Sequence, residues 1–103
     1  MKLIIIKTTF DDKKEAKKVA KLLVKEKLSV CIQISKINSF YTWNDAICED
    51  KEYLLSIKTK KENYKKIQRK IKENHSYDLP QILAIKITKT SREYKKFIKE
   101  NTI

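Results

Sequence analysis

The pattern of apolar and polar residues predicts four β-strands. Residues 3–9 form a β-branched run that is too short and too branched for a helix, so they predict a buried first strand. Strand character follows at 30–35, resuming at 38–43, and again at 53–59 and 82–88. Asn44 and Asp45 tolerate positive φ better than other non-glycine residues, so they predict the turn of a long hairpin between the second and third strands.

Three segments carry apolar residues at the spacing of an α-helix. The first helix follows Asp11 or Asp12, either of which can cap it, and Glu15 lies where a capping box places its acid. A second helix covers 64–74, and a short third helix opens at Ser91. The apolar stripe of the first helix, opposed by lysines, consists of Ala16, Val19, Ala20, Leu23, Val24 and Leu28.

The order of these elements is strand, helix, strand, strand, helix, strand, helix. Two βαβ units that share one antiparallel sheet give an α+β, ferredoxin-like βαββαβ fold, with helices on one face and an extra C-terminal helix. No linker or repeat divides the chain, so residues 1–103 are predicted to form a single domain.

The sheet face away from the helices is difficult to explain in a monomer. The first and fourth strands carry apolar residues at both odd and even positions, so this second face is also predicted to be buried. One short C-terminal helix is too small to cover it, and we therefore expect the chain to oligomerise. Tyr41 and Trp43 share a strand face near the hairpin tip, where they either insert into a neighbouring subunit or pack locally.

The composition excludes several classes of site. The chain contains no glycine, which argues against phosphate-binding loops, dinucleotide fingerprints, nucleophile elbows and EF-hand turns. Its formal net charge is +12, but lysine supplies 23 of the 25 basic residues, whereas base-edge readout favours arginine. We therefore interpret the charge as a solvated surface rather than a nucleic-acid interface.

An RNA-recognition module shares the βαββαβ order and is the alternative from another functional class. Such modules display glycine-flanked aromatic residues on their third strand for base stacking. The third strand here offers Tyr53 as its one aromatic residue and has no glycine. The net positive charge fits an RNA-binding module, whereas the single aromatic residue of the third strand does not provide the surface on which bases would stack.

Hydropathy and cysteine usage indicate the compartment. No apolar run approaches the roughly 18 residues needed to span a bilayer, and the run at 3–6 is shorter than a signal-peptide core. Cys31 and Cys48 lack CxxC spacing and a secretory context, so no structural disulfide is predicted. We expect a cytoplasmic protein without membrane contact.

His75 is the only histidine, and it lies in a connector close to Asp78. It is a candidate metal ligand, a candidate general base or an ordinary loop residue. Because no second histidine is present, further metal ligands would have to come from Cys31, Cys48, Asp78 or another chain.

Lys58 and Cys31 are candidates for a polar cleft on the sheet. Lys58 has the strand parity of Leu54 and Ser56, and its ammonium group would attract an anion. Cys31 either faces the same cleft or is a buried, inert thiol. The chain has no Ser/His/Asp nucleophile arrangement, so we expect a protein that is not an enzyme. An anion-processing site that uses Lys58 and His75 is the catalytic alternative.

Four segments carry a family pattern: 16–34, ending in Leu-Ser-Val-Cys-Ile-Gln-Ile; Ser39-Phe-Tyr-Thr-Trp43; 49–59, ending in Leu-Leu-Ser-Ile-Lys-Thr; and His75-Ser-Tyr-Asp-Leu-Pro-Gln-Ile. In this order and spacing they resemble the CutA family of divalent-cation tolerance proteins. The resemblance implies a ferredoxin-like homotrimer similar to PII-type signalling proteins, whose long second and third strands reach across subunits. It also implies a role in tolerance of copper or other divalent metal ions.

The same resemblance implies site residues. Some family members are credited with copper ligands at a cysteine in the first strand and at two adjacent histidines. Here Lys7 and Asn74 stand at two of those positions, which leaves His75 as the matching metal ligand. No cofactor is expected beyond a divalent metal ion such as Cu²⁺, and a small ligand remains unidentified. The residues expected at clefts between subunits are Cys31, Lys58 and Tyr77, and those expected in assembly are Tyr41, Trp43 and Glu52.

Overall fold

The computed structural model describes residues 2–103 as four strands and three α-helices. A short 3₁₀ turn at Lys61–Asn63 precedes the second helix. No helix within residues 2–103 has the length and apolar character needed to cross a membrane. The elements are β1 (Leu3–Phe10), α1 (Lys13–Lys25), β2 (Cys31–Trp43), β3 (Ala46–Lys60), α2 (Tyr64–Glu73), β4 (Ile82–Ile87) and α3 (Arg92–Asn101).

The four strands form one antiparallel sheet in the order β2-β3-β1-β4. β1 pairs with β3 on one side and with β4 on the other, so β2 and β4 are the edge strands. The predicted α+β class with an antiparallel sheet is confirmed.

The hydrophobic core lies between one sheet face and the helices α1 and α2. The even positions of β1 face this core, and the register places Ile6 opposite Ile57 of β3. Burial of one such side chain contributes about 1.5–3 kcal/mol, so this layer supplies most of the hydrophobic stabilisation. The helices contribute Ala16, Val19, Leu23, Ile67 and Ile71, all of them fully buried.

α1 ends earlier than the apolar pattern predicts. Leu28 was expected on the helix stripe, but the last helical residue is Lys25. Beyond it, the N–H of Leu28 donates to the carbonyl of Leu23, and the N–H of Lys27 donates to that of Val24. These two bonds form a Schellman motif, which turns the chain and buries Leu28 against the core.

The start of α1 carries one expected contact and one unexpected contact. Asp12 is the N-cap, and its Oδ1 accepts a hydrogen bond from the N–H of Lys14 at 3.1 Å. Glu15 was expected to complete a capping box, but its Oε1 instead accepts from the N–H of Ser76 at 2.7 Å. This bond ties α1 to the connector between α2 and β4.

The helices α1 and α2 of the two βαβ units pack on one sheet face, and the extra C-terminal helix α3 packs on the other. Its Tyr94 lies beside Cys31, which has the strand parity that points away from the core. We call this side of the sheet, which also carries Leu83 and Ile85, the open face. Leu83 and Ile85 remain 41% and 48% exposed, because α3 covers only part of the open face.

β2 and β3 extend past the rest of the sheet as a two-stranded ribbon, residues 37–52, which we call the arm. β1 pairs with β3 only from Tyr53 onward, so the seven residue pairs of the arm have no third strand beside them. At the tip, Asn44 and Asp45 adopt φ values of 50° and 63°, which confirms the predicted turn.

Candidate functional site

Lys58 and Cys31 face each other across β2 and β3 on the open face. They are register partners, and Lys58 Nζ lies 3.9 Å from Cys31 Sγ. The same ammonium group donates a 2.6 Å hydrogen bond to Gln33 Oε1. Strand parity left open whether Lys58 and Cys31 share a face, and the geometry places them together.

Tyr94 of α3 approaches the same thiol. Burial, followed by the charge of Cys31 and a hydrogen bond with it, raises the pKa of Tyr94. The sequence placed Tyr94 inside the last helix but gave no signal of this contact, because it depends on where α3 docks. We call Cys31, Gln33, Lys58 and Tyr94 the thiol cluster. It combines a soft sulfur donor, a positive charge and a phenol.

His75 is held tightly at the other end of β1. Its side chain is fully buried and stacks on Phe10 with ring centroids 4.1 Å apart. Nδ1 accepts a 3.1 Å hydrogen bond from the N–H of Tyr77, so the ring proton lies on Nε2. Nε2 then donates to the carbonyl of Thr9 at 2.7 Å. Both ring nitrogens are therefore engaged within the chain.

His75 does not join the thiol cluster. It contacts Thr9, whereas Lys58 is the register partner of Ile5, four residues earlier on β1. That separation corresponds to roughly 13 Å along a strand. Lys58 and His75 of one chain therefore do not share a site, and a catalytic oligomer that uses both would have to bring them together from different subunits.

A tightly held copper ion does not fit the residues of one chain. Within residues 2–103, no three His, Cys, Asp or Glu side chains converge in a way that could hold a metal ion. His75 would have to give up a hydrogen bond to expose a nitrogen lone pair. Asn74 donates its amide N–H to the carbonyl of Lys70, and the sulfur of Cys31 lies beside an ammonium group.

Tyr77 lies at the root of the arm rather than in the thiol cluster. Its hydroxyl donates a 2.8 Å hydrogen bond to Glu52 Oε2. Burial, followed by this hydrogen bond, raises the pKa of Tyr77 well above its usual value. The expected cleft residue Tyr77 and the expected assembly residue Glu52 thus form one contact.

The two aromatic assembly candidates lie on the arm and are exposed in the single chain. Tyr41 donates a hydrogen bond to Asp50, which raises the pKa of Tyr41 to about 12. Trp43 is 67% exposed, so local packing within the arm accounts for little of its surface. Phe40, which the sequence did not single out, is equally exposed.

The sequence has close relatives of known family. Residues 4–101 match the family described as CutA1 divalent ion tolerance protein. The divalent-cation tolerance protein CutA of Pyrococcus horikoshii is 38% identical over 97% of this chain and 98% of its own length. The protein of the same name from Thermus thermophilus is 34% identical over 95% of this chain and 96% of its own length.

Solved structures agree with the sequence relationship. The crystal structure of CutA1 from Oryza sativa is 31% identical and superposes with a TM-score of 0.95, covering 100% of this chain and 95% of that one. That of CutA1 from Pyrococcus horikoshii is 37% identical, with a TM-score of 0.91 over 97% of this chain and 98% of that one. The RNA-recognition alternative gains no support from these relatives. The chain therefore belongs to the CutA1 family of divalent ion tolerance proteins.

Proposed function

We propose that this protein acts in the response to divalent metal ions as a homotrimer that binds its ligands weakly, without enzymatic chemistry, in clefts between subunits. The observation that carries the proposal is the arm. A two-stranded ribbon is marginally stable in water on its own. The seven residue pairs of the arm extend roughly 23 Å beyond the point where β1 pairs with β3, so we expect the arm to pack on a neighbouring surface.

The arm and the open face are complementary in chemistry. Phe40 and Trp43 expose 67% of their surface, and Ile47 at the tip exposes 81%. Leu83 and Ile85 leave an apolar strip on the open face of the same chain. When two different surfaces of the chain contact each other, the same contact repeats from subunit to subunit. A closed ring gives every subunit a partner for both of its surfaces. The family resemblance supplies the trimeric, PII-like form of that ring.

In such a ring the thiol cluster would lie in a cleft beside the neighbouring subunit. The cluster offers one sulfur donor, and soft thiolate ligands select copper and zinc among the transition metals. The remaining ligands would have to come from another chain. The Lys58 ammonium group competes with a cation for the sulfur, which supports weak rather than tight metal binding.

The absence of enzymatic chemistry is part of the proposal. His75 is this chain's only imidazole, and both of its nitrogens serve the fold. We also propose a cytoplasmic location, on the ground that Cys31 and Cys48 are free thiols. Some relatives carry the words chloroplastic or periplasmic in their names, so fractionation of the native host is the direct test of location.

Calorimetric titration with Zn²⁺ tests the metal-binding part of the proposal. Zn²⁺ is the first probe because, unlike Cu²⁺, it does not oxidise thiols. We expect a weak binding heat for the wild-type protein that is lost in Cys31→Ser and retained in the matched control Cys48→Ser. Equal heats in all three proteins, or no heat in the wild type, would rule out metal binding at the thiol cluster.

A further inference from the structure

A lysine-lined cavity lies at the end of the sheet where β1 begins and β4 ends. Its volume is about 1130 Å³, and it shares no residue with the thiol cluster. Glu62 is the one acidic side chain in its lining. The cavity walls come from β1, the start of α2, the end of β4 and the start of α3. Its six lysines are Lys2, Lys61, Lys65, Lys86, Lys89 and Lys95.

None of these six ammonium groups forms an ion pair within residues 2–103, where the ion pairs involve other basic groups. Like charges arranged around one concave space repel one another, and a bound anion relieves that repulsion. On a convex surface, by contrast, lysine side chains can point away from one another into solvent. The concave arrangement therefore distinguishes this cluster from the lysines along the outer face of α1.

The floor of the cavity is apolar and differs in character from its rim. Ile4 is buried there, and Ala84 lies exposed on β4 without filling the space. The half-buried ring of Tyr64 forms part of the wall. Since β4 is an edge strand, the backbone N–H and C=O groups on its outer side have no strand partner in the described chain. A flat group resting on this floor would find both apolar contact and hydrogen-bonding groups.

We propose that this cavity binds a small molecule that combines several phosphate groups with an aromatic ring, of the nucleoside polyphosphate class. Lysine binds phosphate as a point charge, which suits the rim. Ligand pockets of drug-sized molecules span about 300–1,000 Å³, so this cavity has room for a ring and a phosphate chain. The cavity shares no residue with the thiol cluster, so this proposal stands independently of the metal-binding proposal.

Calorimetry on the full-length protein, with EDTA present, tests the site using ATP, inorganic tripolyphosphate and adenosine. We expect ATP to bind more tightly than tripolyphosphate, and adenosine to bind least. Reversing two charges on the rim with Lys65→Glu and Lys86→Glu should weaken ATP binding by at least about tenfold, since each removes a charge-assisted phosphate contact. The control pair Lys17→Glu and Lys21→Glu, exposed on α1, changes net charge equally and should leave affinity within about twofold.

A second variant tests the apolar floor independently of charge. Ala84→Phe fills the space expected for the ring, so it should abolish the advantage of ATP over tripolyphosphate while leaving tripolyphosphate binding intact. The proposal is overturned if wild-type protein gives no heat with ATP, as it would if a neighbouring subunit fills the cavity. It is also overturned if the control pair weakens ATP binding as much as the rim pair does.

Discussion

Tyr77 donates a 2.8 Å hydrogen bond to Glu52, and this contact joins the connector after α2 to the root of the arm. Two residues earlier, His75 holds the same connector against Thr9 at the end of β1. Glu15 adds a third bond through Ser76. The connector thus braces the sheet at the point where the arm leaves it.

Tyr77→Phe removes the hydroxyl of this brace and leaves Glu52 without its donor. We expect the free energy of unfolding to fall by about 1 kcal/mol, as for the loss of one partly buried hydrogen bond. Urea denaturation measures the change. Asn101→Ala is the control, because it removes one exposed hydrogen bond, from the Asn101 amide to the carbonyl of Phe97, and should have a smaller effect. Equal losses in the two variants would show that the contact at Glu52 has no special role.

The raised pKa of Tyr77 makes a prediction for alkaline pH. The folded protein holds the phenol proton more tightly than the unfolded chain, whose tyrosines titrate near their ordinary value of about 10. The stabilisation is complete below about pH 10 and is lost as pH rises toward the folded-state pKa. The difference in unfolding free energy between wild type and Tyr77→Phe should therefore narrow between about pH 10 and 11. A difference that stays constant or widens there contradicts this assignment.

His75→Ala should destabilise the fold strongly. The substitution removes a fully buried ring stacked on Phe10 and leaves the Thr9 carbonyl and the Tyr77 N–H without partners. We expect a loss of about 2–4 kcal/mol by urea denaturation. Asn74→Ala, which removes one half-buried bond to Lys70, should cost about 1 kcal/mol. If His75→Ala is no worse than this neighbour, His75 is not a structural residue, and its assignment as a metal ligand becomes the stronger one.

Lys27→Gly should stabilise the protein. Lys27 has φ 58° in the Schellman motif after α1, a conformation that glycine adopts without strain. We expect a gain of about 0.5–1 kcal/mol in the free energy of unfolding. Lys21→Gly, at an exposed position in the interior of the helix, should instead cost about 1 kcal/mol. A loss of stability in Lys27→Gly would mean that the left-handed turn is not strained in this chain.

Local patterns predicted the elements of this fold because each pattern reflects a buried face. The strand at β1, the turn at Asn44 and most of the core stripe of α1 were predicted from neighbouring residues, but Val24 of that stripe is 43% exposed. Strand parity left open whether Cys31 shares a face with Lys58, and the register of β2 and β3 puts the two directly opposite each other on one face. Because the chain contains no glycine, other residues must adopt the positive φ values that tight turns require. Within residues 2–103 these are Lys27, Asn44 and Asp45.

The contacts that could not be predicted join residues far apart in the sequence. Glu15 fits a capping box by spacing, and only the docked connector offers it the N–H of Ser76 instead. Tyr94 meets Cys31 because α3 crosses to the open face, which helix periodicity does not determine. The sequence shows no alternation of apolar and polar residues around Lys36, in the middle of β2. Most side chains of β2 are exposed there in a single chain, so neither face of the strand is buried and the apolar residues have no reason to alternate.

Native mass spectrometry of freshly purified protein tests most directly whether neighbouring subunits cover the arm and the open face. At micromolar concentration we predict a species of three times the 12.3 kDa chain mass. Phe40→Ser with Trp43→Ser should shift it to monomer, while Val24→Ser, which alters an exposed apolar residue of α1, should leave it trimeric. A wild-type protein that is monomeric under these conditions would contradict the proposed assembly and the clefts that depend on it.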